Sequence, residues 1–298
     1  MSAMTETTRV GDLDIAYETF GSADDPALLL VMGLATQMLG WDERFCQQLA
    51  DEGFHVIRFD NRDIGLSTHL HDAGTPDPLA LLTGTGPAPA YRIEDMADDA
   101  IGLLDALGIG AAHLVGASMG GMIVQAAAIR HPGRVLTLTS IMSTPSTQVG
   151  KARPEAQSAL LIPPATNADE AVERALAVYR VIGSPEFPLD EERLAARARL
   201  SYERSADATG VLRQLAAIVG SPDRTEGLRG VTVPTLVIHG KDDPLVEVDG
   251  GHATADAVPG SRLLVIPGMG HDLPEAVWPQ VVTAIATMAS GSTQPQVT

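Results

Sequence analysis

The pentapeptide Gly116-Ala117-Ser118-Met119-Gly120 constrains the fold more than any other stretch, because it joins a short apolar run to a long apolar helical segment. Residues 113–117 read as a β-strand. Residues 119–130 (MGGMIVQAAAIR) read as a helix that is apolar almost all round and is stopped by Pro132. A serine on such a strand-to-helix turn is held in a strained backbone conformation that lifts its hydroxyl above the sheet. The turn accepts only small residues two positions to either side, which Gly116 and Gly120 supply. The same turn puts the backbone N–H of Met119 at the positive end of the following helix, where it can donate to an oxygen that becomes negative during acyl transfer.

Partners for Ser118 follow in the right order. Residues 235–239 (TLVIH) form a buried strand that runs into Gly240-Lys241-Asp242-Asp243-Pro244, and residues 263–266 form another that runs into Gly268-Met269-Gly270-His271. In an open parallel α/β sheet such strand ends line one crevice, so Ser118, an aspartate of the 242/243 pair and His271 can converge. The chemistry requires these residue types. A neutral serine is a poor nucleophile, an imidazole within reach takes its proton, and a carboxylate behind the imidazole fixes the tautomer and stabilises the imidazolium. His271 is therefore the candidate general base and acid. The other histidines, at 55, 69, 71, 113, 131, 239 and 252, show neither this placement nor metal-ligand spacing with a third ligand, and are expected to be structural or exposed. No metal is expected.

These features resemble the α/β-hydrolase-fold serine hydrolases over nearly the whole core. Residues 27–41 (ALLLVMGLATQMLGW) resemble the family's strand and oxyanion loop, and Asp60-Asn61-Arg62-Asp63-Ile64-Gly65-Leu66-Ser67 resembles its D-x-R-x-x-G-x-S turn. The resemblance selects Asp243 over Asp242 as the acid, since the family places that residue immediately before a proline or another turn former. LLLVMG, Gly40-Trp41, HVIRFDNRD and IPGMGH are similar to the anthracycline-esterase branch typified by aclacinomycin methylesterase. The resemblance implies an oxyanion hole built from the N–H groups of Leu34 and Met119. Met32-Gly33 stands where the family often has His-Gly, and Leu34 replaces a glycine of the branch, which puts a larger side chain near the acyl pocket.

The 298 residues suffice for a full core, and a net charge of −18 argues against nucleic-acid backbones and anionic membranes as partners. The single Cys46 rules out an intramolecular disulfide and lies in an expected helix, where a packed thiol is the simpler reading. The N-terminus lacks a basic start followed by an apolar stretch. Neither a signal peptide nor a membrane span is therefore expected, and a cytoplasmic location is the default.

An opening hairpin is expected over residues 7–20, with Gly11-Asp12 at its turn, and strands then alternate with helices to about Met142. That pattern predicts a mostly parallel sheet covered on both faces. The alternation stops between about 145 and 230. Helical stretches near 155–161, 168–182, 190–204 and 207–219 follow there, with Asn167 and Glu170 as a capping box and Asp190 as an N-cap. The expected organisation is an α/β-hydrolase core from 1–144 and 231–290, a helical cap from 145–230 forming the pocket roof without contributing to the triad, and a disordered tail from 291–298. Residues 69–90 are expected to form an entrance flap.

Asp60 and Arg62 are expected to form an ion pair that scaffolds neighbouring loops. Trp41, Met142, Phe187 and Tyr202 are the candidate substrate contacts, and core packing is the competing role for each. The expected activity is hydrolysis of a small-molecule carboxylic ester through an acyl-serine, without a cofactor. The same triad also serves perhydrolases, lactonases, thioesterases and carbon-carbon-bond hydrolases, and a ligand receptor can retain it.

Overall fold

A computed structural model describes residues 4–77, 80, 85–160 and 162–291. The chain opens with β1 (Glu6–Val10) and β2 (Leu13–Phe20), joined by a two-residue turn in which Gly11 has φ +56°. Next come β3 (Ala27–Val31), α1 (Glu43–Asp51), β4 (His55–Phe59), α2 (Ile93–Ala106), β5 (Ala112–Ala117), α3 (Met119–Arg130) and β6 (Val135–Ile141). The helical stretch holds α4 (Pro154–Leu160), α5 (Ala168–Ile182), α6 (Glu191–Arg204), α7 (Thr209–Gly220) and the short α8 (Thr225–Leu228). The chain then returns to the sheet with β7 (Thr235–Gly240), α9 (Asp249–Ala257), β8 (Arg262–Ile266) and α10 (Trp278–Ala289).

The strands form one sheet in the order β1-β2-β4-β3-β5-β6-β7-β8. Only the β1/β2 and β2/β4 pairs are antiparallel. Every residue of β3, β5 and β7 is buried, as expected of parallel strands covered on both faces. One apolar cluster packs α2 and α3 on one side of the sheet, and a second packs α1 and α10 on the other. The sheet thereby brings the ends of β3, β5, β7 and β8 to one edge of the molecule.

Between β6 and β7 the helices begin as their sequences require. Asp190 accepts from the N–H of Arg193 at 3.0 Å, and Asn167 accepts from the N–H of Glu170 at 2.9 Å. The return bond expected of a capping box is displaced by one residue, because Glu170 accepts from the N–H of Thr166. Of residues 69–90, those numbered 78–79 and 81–84 lie outside the described residues, as do 292–298 of the tail. The described parts of 69–90 are tied to α7. The Gly74 carbonyl accepts from Arg213 at 2.8 Å, and Pro89 packs against Gly220. Among the described residues no helix is long and apolar enough to cross a membrane.

Candidate active site

Ser118 occupies the turn between β5 and α3 with φ +57° and ψ −120°, a region that costs a non-glycine residue on the order of 1–3 kcal/mol. The turn closes so tightly that a Cβ on Gly116 would lie 2.1 Å from the Gly120 carbonyl oxygen, and one on Gly120 would lie 2.0 Å from that of Val31. Both obstacles are backbone, so neither can move aside. The N–H of Ser118 donates to Ile141 at 2.9 Å, which fixes the elbow to β6.

The loop after β8 brings His271 across to Ser118, leaving its Nε2 3.0 Å from the Ser118 Oγ. Its Nδ1 lies 2.7 Å from Asp243 Oδ2. A carboxylate only accepts, so Nδ1 carries the proton and Nε2 presents its lone pair to the serine hydroxyl. Asp243 is 1% exposed, and its other oxygen accepts from the N–H groups of Leu245 and Val246 at 2.8 and 2.9 Å. Asp242 turns the other way and accepts from the Gly268 N–H at 2.9 Å. The two adjacent acids therefore have separate duties, one on the imidazole and one on the turn that carries it. Burial lowers the pKa of nearby His239, whose Nε2–H donates to the Val246 carbonyl.

The loop that the resemblance assigns to the oxyanion hole follows β3. A Cβ on Gly33 would lie 3.0 Å from the Ser118 Cβ, so this backbone passes directly beside the serine. Among the described residues the N–H groups of Leu34 and Met119 have no protein acceptor, and Met119 directly follows Ser118 at the start of α3. The next N–H, that of Ala35, donates to Gln214 on α7 at 3.2 Å, while Gln37 donates to the Ser201 carbonyl on α6 at 2.7 Å.

Asp60 and Arg62 do not pair with each other. Asp60 accepts from Arg204 on α6 at 3.1 Å and from the N–H groups of Met38 and Leu66. Arg62 instead grips Asp99 with two bonds of 2.6 and 2.7 Å. Alternate partners win because the turn points the two side chains apart. Gly65, at φ +62°, leaves room for the Asp60 carboxylate, which a Cβ there would meet at 2.2 Å. Burial pushes the Asp60 carboxyl upward against the pull of Arg204. Asp63, at φ +68°, is held by Arg213 on α7 through bonds of 2.9 and 2.7 Å.

The helical stretch also reaches the histidine loop. The Ile182 carbonyl accepts from the His271 N–H at 2.7 Å. The Ser184 hydroxyl accepts from the Gly270 N–H at 2.9 Å and donates to Asp272. Burial raises the Asp272 carboxyl, opposed by that Ser184 hydrogen bond.

The candidate substrate contacts separate. Trp41 takes the core-packing role weighed for it: at 2% exposure it stacks on Phe45, and its carbonyl accepts from the buried Arg58. Met142 is buried at the end of β6, beside the elbow, with φ +42°. Tyr202 is half-buried on α6. Phe187 lines a cavity of about 450 Å³ together with Tyr179, Asp242, Pro244 and Asp272. That cavity adjoins the chain neighbours of Asp243 and His271 rather than Ser118. Cys46 is packed in the core, where burial pushes its thiol up to about 12. His69 and His71 have a third ligand-type neighbour after all, because Asp207 is brought to them from the linker between α6 and α7. Nothing in the local spacing signals a partner so distant in sequence.

Residues 26–275 match the family described as alpha/beta hydrolase fold, and the chain belongs to that family of enzymes. It is similar to the rhodomycin D methylesterase DauP of Streptomyces sp. (strain C5), at 29% identity over 93% of this chain and 95% of that protein. It is also similar to 3-oxoadipate enol-lactonase 2 of Acinetobacter baylyi, at 28% identity over 88% of each. Among solved structures, the enol-lactonase from Burkholderia xenovorans LB400 superposes with a TM-score of 0.72 at 22% identity, covering 96% of this chain and 100% of that one, which speaks to the fold. The esterase resemblance of LLLVMG and IPGMGH agrees with the methylesterase match.

Proposed function

We propose that this enzyme hydrolyses small-molecule carboxylic esters through an acyl-serine intermediate. The observation that carries the reading is the unbroken line from Asp243 through His271 to Ser118, with contacts of 2.7 and 3.0 Å, ending on a serine at φ +57°. Ser118 Oγ attacks the ester carbonyl while His271 Nε2 takes its proton. The carbonyl oxygen, now negative, is met by the N–H groups of Leu34 and Met119. His271 returns the proton to the leaving alcohol, then removes one from water to cleave the acyl-enzyme, and Asp243 steadies the imidazolium throughout. The methylesterase relative supports an ester as substrate. The enol-lactonase relative supports extension to lactones, which are cyclic esters cleaved by the same steps.

Residues 145–230 act in this reading as a helical cap on a core formed by 1–144 and 231–290. Phe187 and Tyr202 are the cap side chains that meet the substrate, with Met142 below them, while Leu34 limits the acid portion. The direct test is mass spectrometry of the protein quenched during turnover of a p-nitrophenyl ester. The acyl mass is expected on the peptide containing Ser118 and is expected to vanish in Ser118→Ala. Steady turnover with no acyl-enzyme in rapid-quench samples, including with activated esters whose bulky acyl group is hydrolysed slowly, would remove the covalent step.

A further inference from the structure

We propose that His69, His71 and Asp207 form a binding site for a divalent first-row transition metal ion of the zinc type, joining the loop after the Asp60 turn to the linker between α6 and α7. Their donor atoms all lie within 4.8 Å of one another. His69 Nδ1 is 3.1 Å and His71 Nε2 is 3.4 Å from the same oxygen, Asp207 Oδ2. Zinc bonds of about 2.0–2.1 Å at tetrahedral angles place neighbouring donors ~3.3 Å apart, so both separations are those of a coordination edge.

The orientation of the groups carries the argument further. His69 Nε2–H donates to the Gly65 carbonyl at 3.1 Å, which fixes the tautomer and leaves the Nδ1 lone pair facing the carboxylate. This Nδ1 is buried and makes no hydrogen bond, although the Asp207 oxygen is only 3.1 Å away. Two electron-rich atoms at that distance need positive charge between them. The other oxygen of Asp207 is occupied by the N–H and hydroxyl of Thr209, at 2.9 and 2.7 Å, so Oδ2 is turned toward the histidines. The His71 side chain is 66% exposed and its ring lies nearly parallel to that of His69, with centroids 5.8 Å apart. It can rotate onto an ion without moving the backbone. Two imidazoles and one carboxylate suit zinc, cobalt or nickel, whereas magnesium and calcium favour all-oxygen shells. Three protein ligands leave a further position for water.

The ion would act as a staple. Asp207 lies between Arg204 and Arg213, the residues that tie α6 and α7 to Asp60 and Asp63, so the metal would close the same seam. The test uses full-length protein treated with EDTA and then dialysed. Calorimetric titration with Zn²⁺ is expected to give one saturable site, Co²⁺ to give the visible absorption of a four- or five-coordinate ion, and Zn²⁺ to raise Tm reversibly with EDTA. His71→Ala, which removes an exposed side chain, and Asp207→Asn are each expected to weaken binding by at least about tenfold. The exposed His252→Ala is expected to leave it unchanged. Absence of stoichiometric binding, or equal affinity in wild type, His71→Ala and Asp207→Asn, would overturn the site and leave an imidazolium–carboxylate pair.

Discussion

The strand ends that carry Ser118, Asp243 and His271 are fixed by backbone, whereas the helices between β6 and β7 are fastened to the core by charged and polar side chains as well as by main-chain bonds such as that from His271 to Ile182. At the elbow, close approach of main-chain atoms decides the geometry: Gly116 against Gly120, and Gly120 against Val31. At the seam, the decisive contacts are Arg204 with Asp60, Arg213 with Asp63 and Gln214 with the Ala35 N–H. The helical stretch adds few residues to the main apolar clusters and keeps a small cluster around Ala156, Val178 and Ile182. Backbone contacts have one arrangement and resist changes of pH. Ionic contacts depend on protonation, so the two regions can be disturbed separately even though both touch the reacting residues.

The largest effect belongs to the backbone-held region. Ser118→Ala is expected to lower turnover by about 10⁴-fold or more with folding intact, because the covalent route is lost while the oxyanion donors remain. Near-normal ester turnover by the purified, folded variant would show that the elbow does not hold the nucleophile.

The paired acids provide a sharper comparison within that region. Asp243→Asn is expected to cost roughly 10²–10⁴-fold in kcat, since His271 loses its anionic partner and can adopt the wrong tautomer. Asp242→Asn removes one acceptor from the Gly268 turn and is expected to cost less than about tenfold. Measuring kcat for both variants decides the assignment, and the opposite ranking would reverse it.

The difference between the regions also explains what the sequence discloses. The elbow is legible because its strand, glycines and helix are contiguous, and the apolar pattern reports burial directly. The choice of Asp243 is not set by spacing, since both acids leave β7 at the same point; the family resemblance makes it, and the 2.7 Å contact of Asp243 with His271 supports it. The seam is invisible in the sequence. Arg213 and Asp63 are 150 positions apart, and the chain contains 20 basic and 38 acidic residues, so charge alone cannot identify partners. Local adjacency even misleads, since it suggests Asp60 with Arg62 where the turn sends each to another helix.

The seam itself is tested by Arg213→Ala, which among the described residues leaves the buried Asp63 carboxylate with the Leu70 N–H and the Tyr91 hydroxyl. Breaking a buried pair in this way is expected to cost about 3–5 kcal/mol in urea denaturation. Burial pushes the Asp63 carboxyl up, but hydrogen bonds from Arg213, Leu70 and Tyr91 outweigh it and hold the group below its ordinary range. Such a carboxylate gives stability that is full above its unfolded value of about 3.9 and is lost as pH falls through its lower folded value. Wild type is therefore expected to lose more stability on acidification below about pH 4 than Arg213→Ala does. Parallel stability curves for the two proteins would mean that this pair does not fasten the helix.

The smallest effects separate the two kinds of contact that the helical stretch makes with the site. Ser184 accepts from the Gly270 N–H and donates to Asp272, on either side of His271, so it acts on the catalytic loop rather than on any one substrate. Phe187 lines the neighbouring cavity and has no hydrogen bond to give that loop. Ser184→Ala is accordingly expected to lower kcat for p-nitrophenyl acetate and for the methyl ester of a bulky acid alike, by about 3–10-fold. Phe187→Ala, and Tyr202→Ala with it, is expected to change kcat/KM for the bulky ester several-fold, with little effect on the acetate, if the helical stretch acts as the proposed cap. Both substrates should be measured on each variant after the fold has been checked by near-ultraviolet circular dichroism. Equal losses on both esters in Phe187→Ala would assign that side chain to support of the histidine loop, and the helical stretch would then serve the reaction more than the choice of substrate.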